Sequence, residues 1–183
     1  YSVYTEVYAN GVLTDTYRSP LGFRYFKWDY ADNTLIVNGQ KIHIHGTNRH
    51  QEYPWLGDAI PKWLTEMDMN DIRYNLAHNF MRTGHYPNDP VVYDFNDRNG
   101  IITVEEVPNI KPINFDDQVQ EQNLREMIRR DRNHPSIFFW SVGNETKDAA
   151  DSKWAVEEDT TRYIHERKTE GYGNYVNHNA TNL

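Results

Sequence analysis

Apolar and polar positions alternate in two stretches near the start of the chain. Residues 3–17 alternate around one Asn-Gly pair, and residues 34–44 alternate around another. Alternation with a period of two predicts β-strands, and Asn-Gly is a strong signal for the tight turn of a hairpin. The sequence therefore predicts two β-hairpins. Because a lone hairpin is not stable in water, the first is expected to be the end of a β-domain.

Beyond the second hairpin, short apolar runs are separated by stretches with a helical pattern. No Gly-rich loop follows the first run, which weakens a dinucleotide-binding sheet and favours part of an eight-stranded α/β barrel. The runs begin about 25 to 38 residues apart, a spacing typical of strand–helix units. The five predicted strands are residues 42–46, 76–82, 101–105, 137–141 and 175–178.

Helix boundaries are marked by residues with specific backbone preferences. Pro61, Asp89 and Asn114 are predicted to lie at helix starts, and Gly100 at a helix end. A last helix is predicted over residues 154–167. These helices alternate with the predicted strands, as an α/β fold requires.

Polar residues gather where each predicted strand ends. In (β/α)8 barrels the active site is assembled from the C-terminal ends of several strands. The sequence therefore predicts that these clusters converge on one site. The clusters are residues 48–50, 82–85, 105–106, 144–145 and 178–179.

Composition and charge narrow the range of functions. A formal net charge of −8 argues against a nucleic-acid surface, which needs clustered Lys and Arg. No apolar run approaches the ~20 residues that span a bilayer. The absence of Cys excludes disulfides and thiolate chemistry. The aromatic content of 14% fits either a large aromatic core or a carbohydrate site, since flat rings pack against sugar faces.

The run from Ile137 to Glu145 is the most informative segment. Its apolar strand ends in Gly-Asn-Glu, and a strand of this kind is buried on both faces. Glu145 is therefore expected to emerge beside an aromatic wall, where burial favours the protonated form that a general acid needs. The alternative is a structural Glu145 that caps the following turn or pairs with an Arg.

Residues 130–137, leading into residues 140–145, closely resemble the acid/base signature of glycoside hydrolase family 2. Three further blocks resemble the first three strand blocks of that family, in the same order. The resemblance implies that residues 1–30 are the C-terminal strands of an immunoglobulin-like β-sandwich domain and a linker. It implies that residues 31–183 are the N-terminal part of a (β/α)8 catalytic barrel. The three further blocks are residues 46–50, 79–88 and 97–106.

The resemblance also implies a site and a mechanism. Glu145 matches the acid/base of a retaining glycosidase, in which a second carboxylate about 5 Å away attacks the anomeric carbon. Asn144 matches the amide that contacts the sugar 2-hydroxyl. The positions that match the lining of the sugar site are His50, Arg82 and His85. Arg82 is alternatively expected to hold the nucleophile.

The nucleophile itself is not evident in the sequence. The carboxylates that follow Glu145, here called the late carboxylates, fall in a charged, helical pattern typical of a solvated surface. The nucleophile is therefore expected outside this chain, and the chain alone is expected to be inactive. The preferred substrate is a β-galactoside, with β-glucuronidase or β-mannosidase activity, or carbohydrate binding without catalysis, as alternatives. The late carboxylates are Glu157, Glu158, Glu166 and Glu170.

No cofactor is predicted, although a bound divalent cation is left as an alternative. The Glu and His that hold such a cation in related β-galactosidases are not evident in residues 107–110. His43, His45 and His50 lack the spacing of a metal motif, which favours an interior or surface pair. The expected partners are a carbohydrate substrate and the remainder of a longer chain, with a homo-oligomer left open and with no nucleic acid or membrane. The compartment is not indicated.

Overall fold

The first hairpin forms as its turn residues predict. The structure is a computed structural model that describes residues 1–111, 115–146, 152–167 and 174–177. Strands β1 (Ser2–Ala9) and β2 (Val12–Pro20) pair antiparallel in a two-stranded sheet. Asn10 and Gly11 take positive φ angles of 52° and 78°, as the tight hairpin turn requires.

The second hairpin is part of a three-stranded antiparallel sheet that packs on the larger sheet. Its strands are β3 (Phe26–Asp29), β4 (Thr34–Val37) and β5 (Gln40–Ile42). Leu35 of β4 is fully buried in a cluster with Phe138 and Phe139. The hairpin prediction is confirmed, and β3 was not predicted.

The main sheet contains five parallel strands in sequential order, followed by one antiparallel strand. This order, with a helix between each parallel pair, is the architecture of part of a (β/α)8 barrel. The parallel strands are β6 (Gly46–Arg49), β7 (Phe80–Thr83), β8 (Ile102–Glu106), β9 (Ile137–Ser141) and β10 (Tyr163–Arg167), and the antiparallel one is β11 (Asn174–Asn177).

Within the part of the chain that the structure describes, four helices connect these strands. Asp89 caps the second by accepting from the Val91 N–H at 2.9 Å, and Gly100 ends it at φ 67°. Asp116 caps the third by accepting from Val119, whereas the predicted cap Asn114 lies outside the described residues. The helices are α1 (Lys62–Asn70, directly after Pro61), α2 (Pro90–Asn99), α3 (Asp117–Asp131) and α4 (Ser152–Glu158). None of the helices in the described part of the chain is long and apolar enough to cross a membrane.

The first two barrel strands start later than predicted. Ile42 pairs with Leu35 inside the small sheet, so residues 42–46 do not form one strand. The Asn79 side chain bonds to the backbones of His43 and His45, which fixes the approach to β6. Before β7, residues 71–75 continue α1 as a π-helical turn, and the strand begins only at Phe80.

The last predicted helix is wrong in its second half. The helix α4 ends at Glu158, and residues 163–167 form the fifth parallel strand, β10. Asp159 ends the helical pattern because its carboxylate accepts from the backbone and hydroxyl of Thr161. The predicted strand at residues 175–178 corresponds to β11, which is antiparallel to β10, and the polar pair at residues 178–179 lies outside the described residues.

Side chains alternate between two buried layers. Ile102 and Val104 of β8 face the small sheet around Leu35. Trp140 and Ile164 pack against α3 and α4 in the other layer. Because alternate residues of a strand point to opposite faces, the same alternation decides which polar side chains at the strand ends reach a common site.

Candidate active site

Arg82 lies at the C-terminal end of β7 and joins two neighbouring strands. Its Nε and Nη2 both donate to Glu106 Oε2, at 2.9 and 2.5 Å. The same Nη2 donates to Asn144 Oδ1 at 2.9 Å. A guanidinium has a fixed planar fork of donors, so this pattern sets the relative positions of both partners.

Glu106 is the centre of this arrangement, although no individual role was predicted for it. Its side chain is fully buried and accepts, besides Arg82, from Ser141 Oγ at 2.6 Å. Its Oε1 lies 2.7 Å from His85 Nδ1, and its backbone N–H donates to Thr83 Oγ1 at 2.9 Å. The signal in the sequence was its position at the end of the third strand.

Asn144 is held at both its backbone and its side chain. Its backbone N–H donates to the Asn109 carbonyl at 2.9 Å, and it forms a bridge with Ile110. A Cβ on the preceding Gly143 would lie 2.9 Å from the Asn109 carbonyl oxygen, so this approach requires glycine. Because Arg82 donates to Oδ1, the amide NH2 of Asn144 faces elsewhere as a donor.

Glu145 directly follows Asn144 and points to solvent. Its expected burial beside an aromatic wall is wrong, because the side chain is exposed. The aromatic Trp140 instead packs in the layer against the helices and donates to Asp159 at 2.9 Å. Glu145 has a φ of 50°, in the left-handed region that residues other than glycine rarely adopt. Such conformations concentrate at functional sites.

His50 forms the rim of the same region. Its ring meets the His85 ring edge to face with centroids 5.3 Å apart. The side chain is about half exposed, and its Nδ1 lies 3.5 Å from Glu52. The structure thus brings four of the five predicted residues into one contact network, while Glu145 is adjacent to Asn144.

The buried charges of the site are matched locally. Arg82 and Glu106 have side-chain exposures of 10% and 0%. A buried carboxylate is strongly unfavourable unless it is paired and hydrogen-bonded. Glu106 meets this requirement through Arg82, His85 and Ser141. The arrangement can therefore hold rigid donors and acceptors around a polar ligand.

His43 and His45 were predicted to form an interior or surface pair without a metal. They lie between β5 and β6 with exposed side chains.

Within the described residues, one group of side chains could hold a metal ion, because its ligand atoms all lie within 4.8 Å of one another. It consists of Asp94, Asp97 and His134. It adjoins the N-terminal end of β9, at the opposite edge from the site. His134 Nδ1 lies 2.7 Å from Asp97, which also accepts from the backbone of Ser136. These contacts give the cluster a structural role. That the protein needs no cofactor stays a prediction.

The late carboxylates lie apart from these residues where they are described. Glu157 and Glu158 form ion pairs between α4 and α3, with Arg125 and Arg129 as partners. Their role is that of an ion-pair network joining the two helices. The side chains of Glu166 and Glu170 fall outside the described part of the chain.

Residues 29–182 match the family model "Glycosyl hydrolases family 2, TIM barrel domain". A β-galactosidase of Thermoanaerobacter pseudethanolicus is 33% identical over 174 residues, which cover 93% of this chain and 23% of that protein. A β-galactosidase of Thermoanaerobacterium thermosulfurigenes is 41% identical over 139 residues, which cover 74% of this chain and 19% of that protein. A β-glucuronidase of Bacteroides fragilis is 35% identical over 162 residues, which cover 83% of this chain and 23% of that protein.

The chain thus spans no more than about a quarter of the length of these curated relatives. Among solved structures, the apo form of Bacteroides uniformis β-glucuronidase 3 superposes with a TM-score of 0.80 at 25% identity, over 91% of this chain and 23% of that one. Another β-glucuronidase of Bacteroides uniformis gives a TM-score of 0.76 at 28% identity, over 85% of this chain and 22% of that one. The chain belongs to glycosyl hydrolase family 2, as part of that family's TIM barrel domain.

Proposed function

We propose that the protein containing this chain is a retaining glycosidase that cleaves terminal β-linked sugars, with Glu145 as its acid/base. The observation that carries the proposal is the order of groups after β9. Asn144 is buried and bonded to Arg82, and the next residue, Glu145, is exposed in a left-handed conformation. A fixed amide donor directly precedes a carboxyl group that substrate can reach.

Each residue of the site has a role in this mechanism. Glu145 protonates the departing glycosidic oxygen and later takes a proton from the attacking water. The NH2 group of Asn144 donates to the sugar 2-hydroxyl, a contact that strengthens in the transition state. His50 and His85 contact the sugar at the rim, and Arg82 fixes Asn144.

The nucleophilic carboxylate is proposed to come from outside these 183 residues. Glu106 is the nearest candidate at the site, but its side chain is fully buried and is held in place by Arg82, His85 and Ser141. An attacking carboxylate needs an oxygen lone pair directed at the anomeric carbon. Glu106 therefore acts as a structural anion in this proposal.

A β-galactoside is the proposed substrate. Two of the relatives described above are named β-galactosidases. The alternative, a β-glucuronide, is favoured by the relatives and structures named β-glucuronidases. Its carboxylate would need a cation, whereas Arg82, the guanidinium at the site in the described residues, is paired with Glu106. β-Mannosides are a third candidate, and sugar binding without catalysis is the non-enzymatic one.

Substitution of Glu145 by Gln in the full-length protein tests the acid/base role. General acid catalysis contributes roughly 10²–10⁴-fold, so a natural glycoside with a poor leaving group should lose about that factor. A substrate with a strongly acidic phenol needs no protonation, and its first step should be nearly unchanged. The second step still lacks its base, so glycosyl-enzyme should accumulate and azide should restore turnover.

The matched control is Glu121→Gln, which removes a partly exposed carboxylate paired with Arg125 on α3. It should leave all substrates unaffected. An equal loss on both substrate types in Glu145→Gln, without azide rescue, contradicts the proposal. Comparing kcat/KM for nitrophenyl β-galactoside, β-glucuronide and β-mannoside then decides the sugar, and no turnover of any of them favours the binding-only alternative.

A further inference from the structure

Three polar side chains stand side by side on adjacent parallel strands. Glu106 of β8, Ser141 of β9 and His165 of β10 are paired in register across the sheet. Ser141 Oγ lies 2.6 Å from Glu106 Oε2 and 2.9 Å from His165 Nδ1. Ser141 and Glu106 are fully buried, and His165 is 8% exposed. The three groups therefore form a row shielded from water.

The number of protons available fixes the direction of these hydrogen bonds. Arg82 only donates, and both of its bonds to Glu106 end on Oε2, so Oε2 carries no proton and only accepts. The single hydroxyl proton of Ser141 is therefore directed to Glu106 Oε2. Ser141 Oγ can then only accept from His165, whose Nδ1 must carry a proton.

The same reasoning applies to the other oxygen of the carboxylate. The ionised form of Glu106, which pairs with Arg82, accepts through Oε1 from His85 Nδ1 at 2.7 Å, and this assigns a proton to His85 Nδ1. A neutral imidazole protonated at one nitrogen has a lone pair at the other. The Nε2 of His85, on the side of the ring away from Glu106, is then an acceptor.

We propose that Ser141 and His165 are positioning residues, which hold Glu106 in the orientation that fixes Arg82, Asn144 and the Nδ1–H tautomer of His85. The direction of the relay is His165 Nδ1–H to Ser141, then Ser141 O–H to Glu106. One step rests on the proposed function: Nε2 of His85 accepts the proton of a sugar hydroxyl.

A role in packing alone does not account for this choice of residues. Positions 141 and 165 lie at the buried ends of strands whose other inward side chains are apolar, such as Phe139 and Tyr163. Buried polar groups stabilise a structure only when they are fully satisfied, and they then specify one geometry. A serine and a histidine here supply the donor that Oε2 of Glu106 takes in addition to Arg82.

The test is nuclear magnetic resonance of the full-length protein labelled with ¹⁵N at histidine. At neutral pH, the Nδ1 atoms of His165 and His85 should each carry a proton. The Ser141 hydroxyl proton, shielded from water, should give a resolved resonance with a cross-peak to the Nδ1 proton of His165. An unprotonated Nδ1 in His165 overturns the proposal.

Two variants separate positioning from packing. His165→Asn retains an N–H donor near Ser141, so the Ser141 hydroxyl and His85 resonances should persist. His165→Leu retains the bulk but removes the donor, so the hydroxyl resonance should vanish and the His85 nitrogens should shift. Equal spectra for the two variants contradict the relay. Ser141→Ala provides the same comparison if the Leu variant does not fold.

The matched control is His43→Leu, which removes an exposed histidine between β5 and β6 and should leave the network signals unchanged. None of these readouts requires turnover. Failure of the relay would leave the acid/base role of Glu145 intact. Conversely, if Glu145 proved not to be the acid/base, the spectra would still report which nitrogen of His85 and of His165 carries the proton.

Discussion

Glu105 and Glu106 are consecutive residues of β8, yet their carboxyl groups lie on opposite faces of the sheet. Glu106 meets Arg82 on the side of the candidate active site. Glu105 faces the helices, where the Tyr93 hydroxyl donates to its Oε1 at 2.9 Å and Asp131 is a close neighbour. Both side chains are fully buried. Glu106 is therefore bonded directly to a cation, whereas Glu105 has a second carboxyl group beside it and its cation, Arg130, at 3.5 Å.

This difference predicts that Glu105 makes stability depend on pH. Burial, followed by repulsion from Asp131 and a hydrogen bond to it, raises the pKa of Glu105 well above its usual value, despite Tyr93 and Arg130 nearby. The folded state then keeps a proton that the unfolded chain releases. The contribution is complete below about pH 4.5 and is lost as pH rises toward the folded pKa, by up to about 1.4 kcal/mol per pH unit.

Glu105→Gln mimics the protonated carboxyl group and should remove this slope. Urea unfolding of the wild type and the variant between about pH 5 and 8 measures the effect. The free energy of unfolding should fall less steeply with pH in the variant. Glu121→Gln, at a partly exposed site outside this cluster, should follow the wild type. Parallel curves for wild type and Glu105→Gln would show that Glu105 is ionised in the folded protein.

Asp159 should produce the opposite dependence on pH. Burial opposes its ionisation, but the charge of Arg162 and hydrogen bonds from Thr161 and Trp140 outweigh this, and the pKa of Asp159 is lowered. Its contribution to stability is present above about pH 3.8 and is lost as pH falls through the folded pKa. The change Asp159→Asn should cost about 3–5 kcal/mol at neutral pH, because it leaves the buried charge of Arg162 without its partner.

The measurement for Asp159→Asn is again the unfolding free energy, now at pH 7 and at about pH 3. The difference between variant and wild type should shrink in acid, because the unfolded wild-type chain takes up a proton at Asp159 there, whereas the folded state resists protonation. A constant difference at both pH values would mean that the Asn acts through shape and not through charge.

The sequence was sufficient for features that depend on neighbouring residues or on order along the chain. The Asn-Gly turns predicted the hairpins because the turn itself needs positive φ. The polar ends of the strands predicted the meeting of Arg82 and Asn144, because parallel strands in a barrel end at one edge. The extent of the β-sandwich tail at residues 1–30 stays a prediction.

Features that depend on contacts between distant segments were missed. The charges of residues 154–167 favour a helix locally, but Ile164 pairs with Trp140 of β9 and buries its side chain there. This tertiary pairing outweighs the local preference, and it also places His165 beside Ser141. Without β10, no pattern in the sequence identifies His165 as part of the site.

Gly46 permits the close approach of the first two barrel strands. A Cβ at this position would lie 2.3 Å from the carbonyl oxygen of Phe80, its register partner on β7. Gly46→Ala should therefore push β6 away from β7 and destabilise the chain by about 1–3 kcal/mol. Because His50 follows β6, the contact between the His50 and His85 rings should also change, which ring resonances can report.

The control for this change is Gly39→Ala. Its φ of 82° carries the usual cost of a left-handed residue, about 1–2 kcal/mol, but no atom lies within 4 Å of the added Cβ. Both variants should lose stability, and only Gly46→Ala should alter the histidine resonances. If both variants leave those resonances unchanged, the spacing of β6 and β7 does not set the rim of the site.

Arg82→Lys tests whether the shape of the guanidinium, and not its charge alone, organises the site. Lys keeps the positive charge but lacks the planar fork that bonds to Glu106 and Asn144 together. A buried acceptor would lose a charged donor, which costs about 1.5–3 kcal/mol in the free energy of unfolding. Arg129→Lys, at an exposed arginine paired with Glu158, should change stability by no more than about 0.5 kcal/mol.

The pair Arg82 and Asn144 can be separated from the rest of the network by a double-mutant cycle with Asn144→Ala. If the fork holds the amide, the two losses should be non-additive, with a coupling of at least about 0.5 kcal/mol. In the full-length protein, Arg82→Lys should lower kcat more than it raises KM, because the amide contact to the 2-hydroxyl strengthens in the transition state. Additive losses together with an unchanged kcat would mean that Asn144 keeps its orientation through its backbone bond to Asn109 alone.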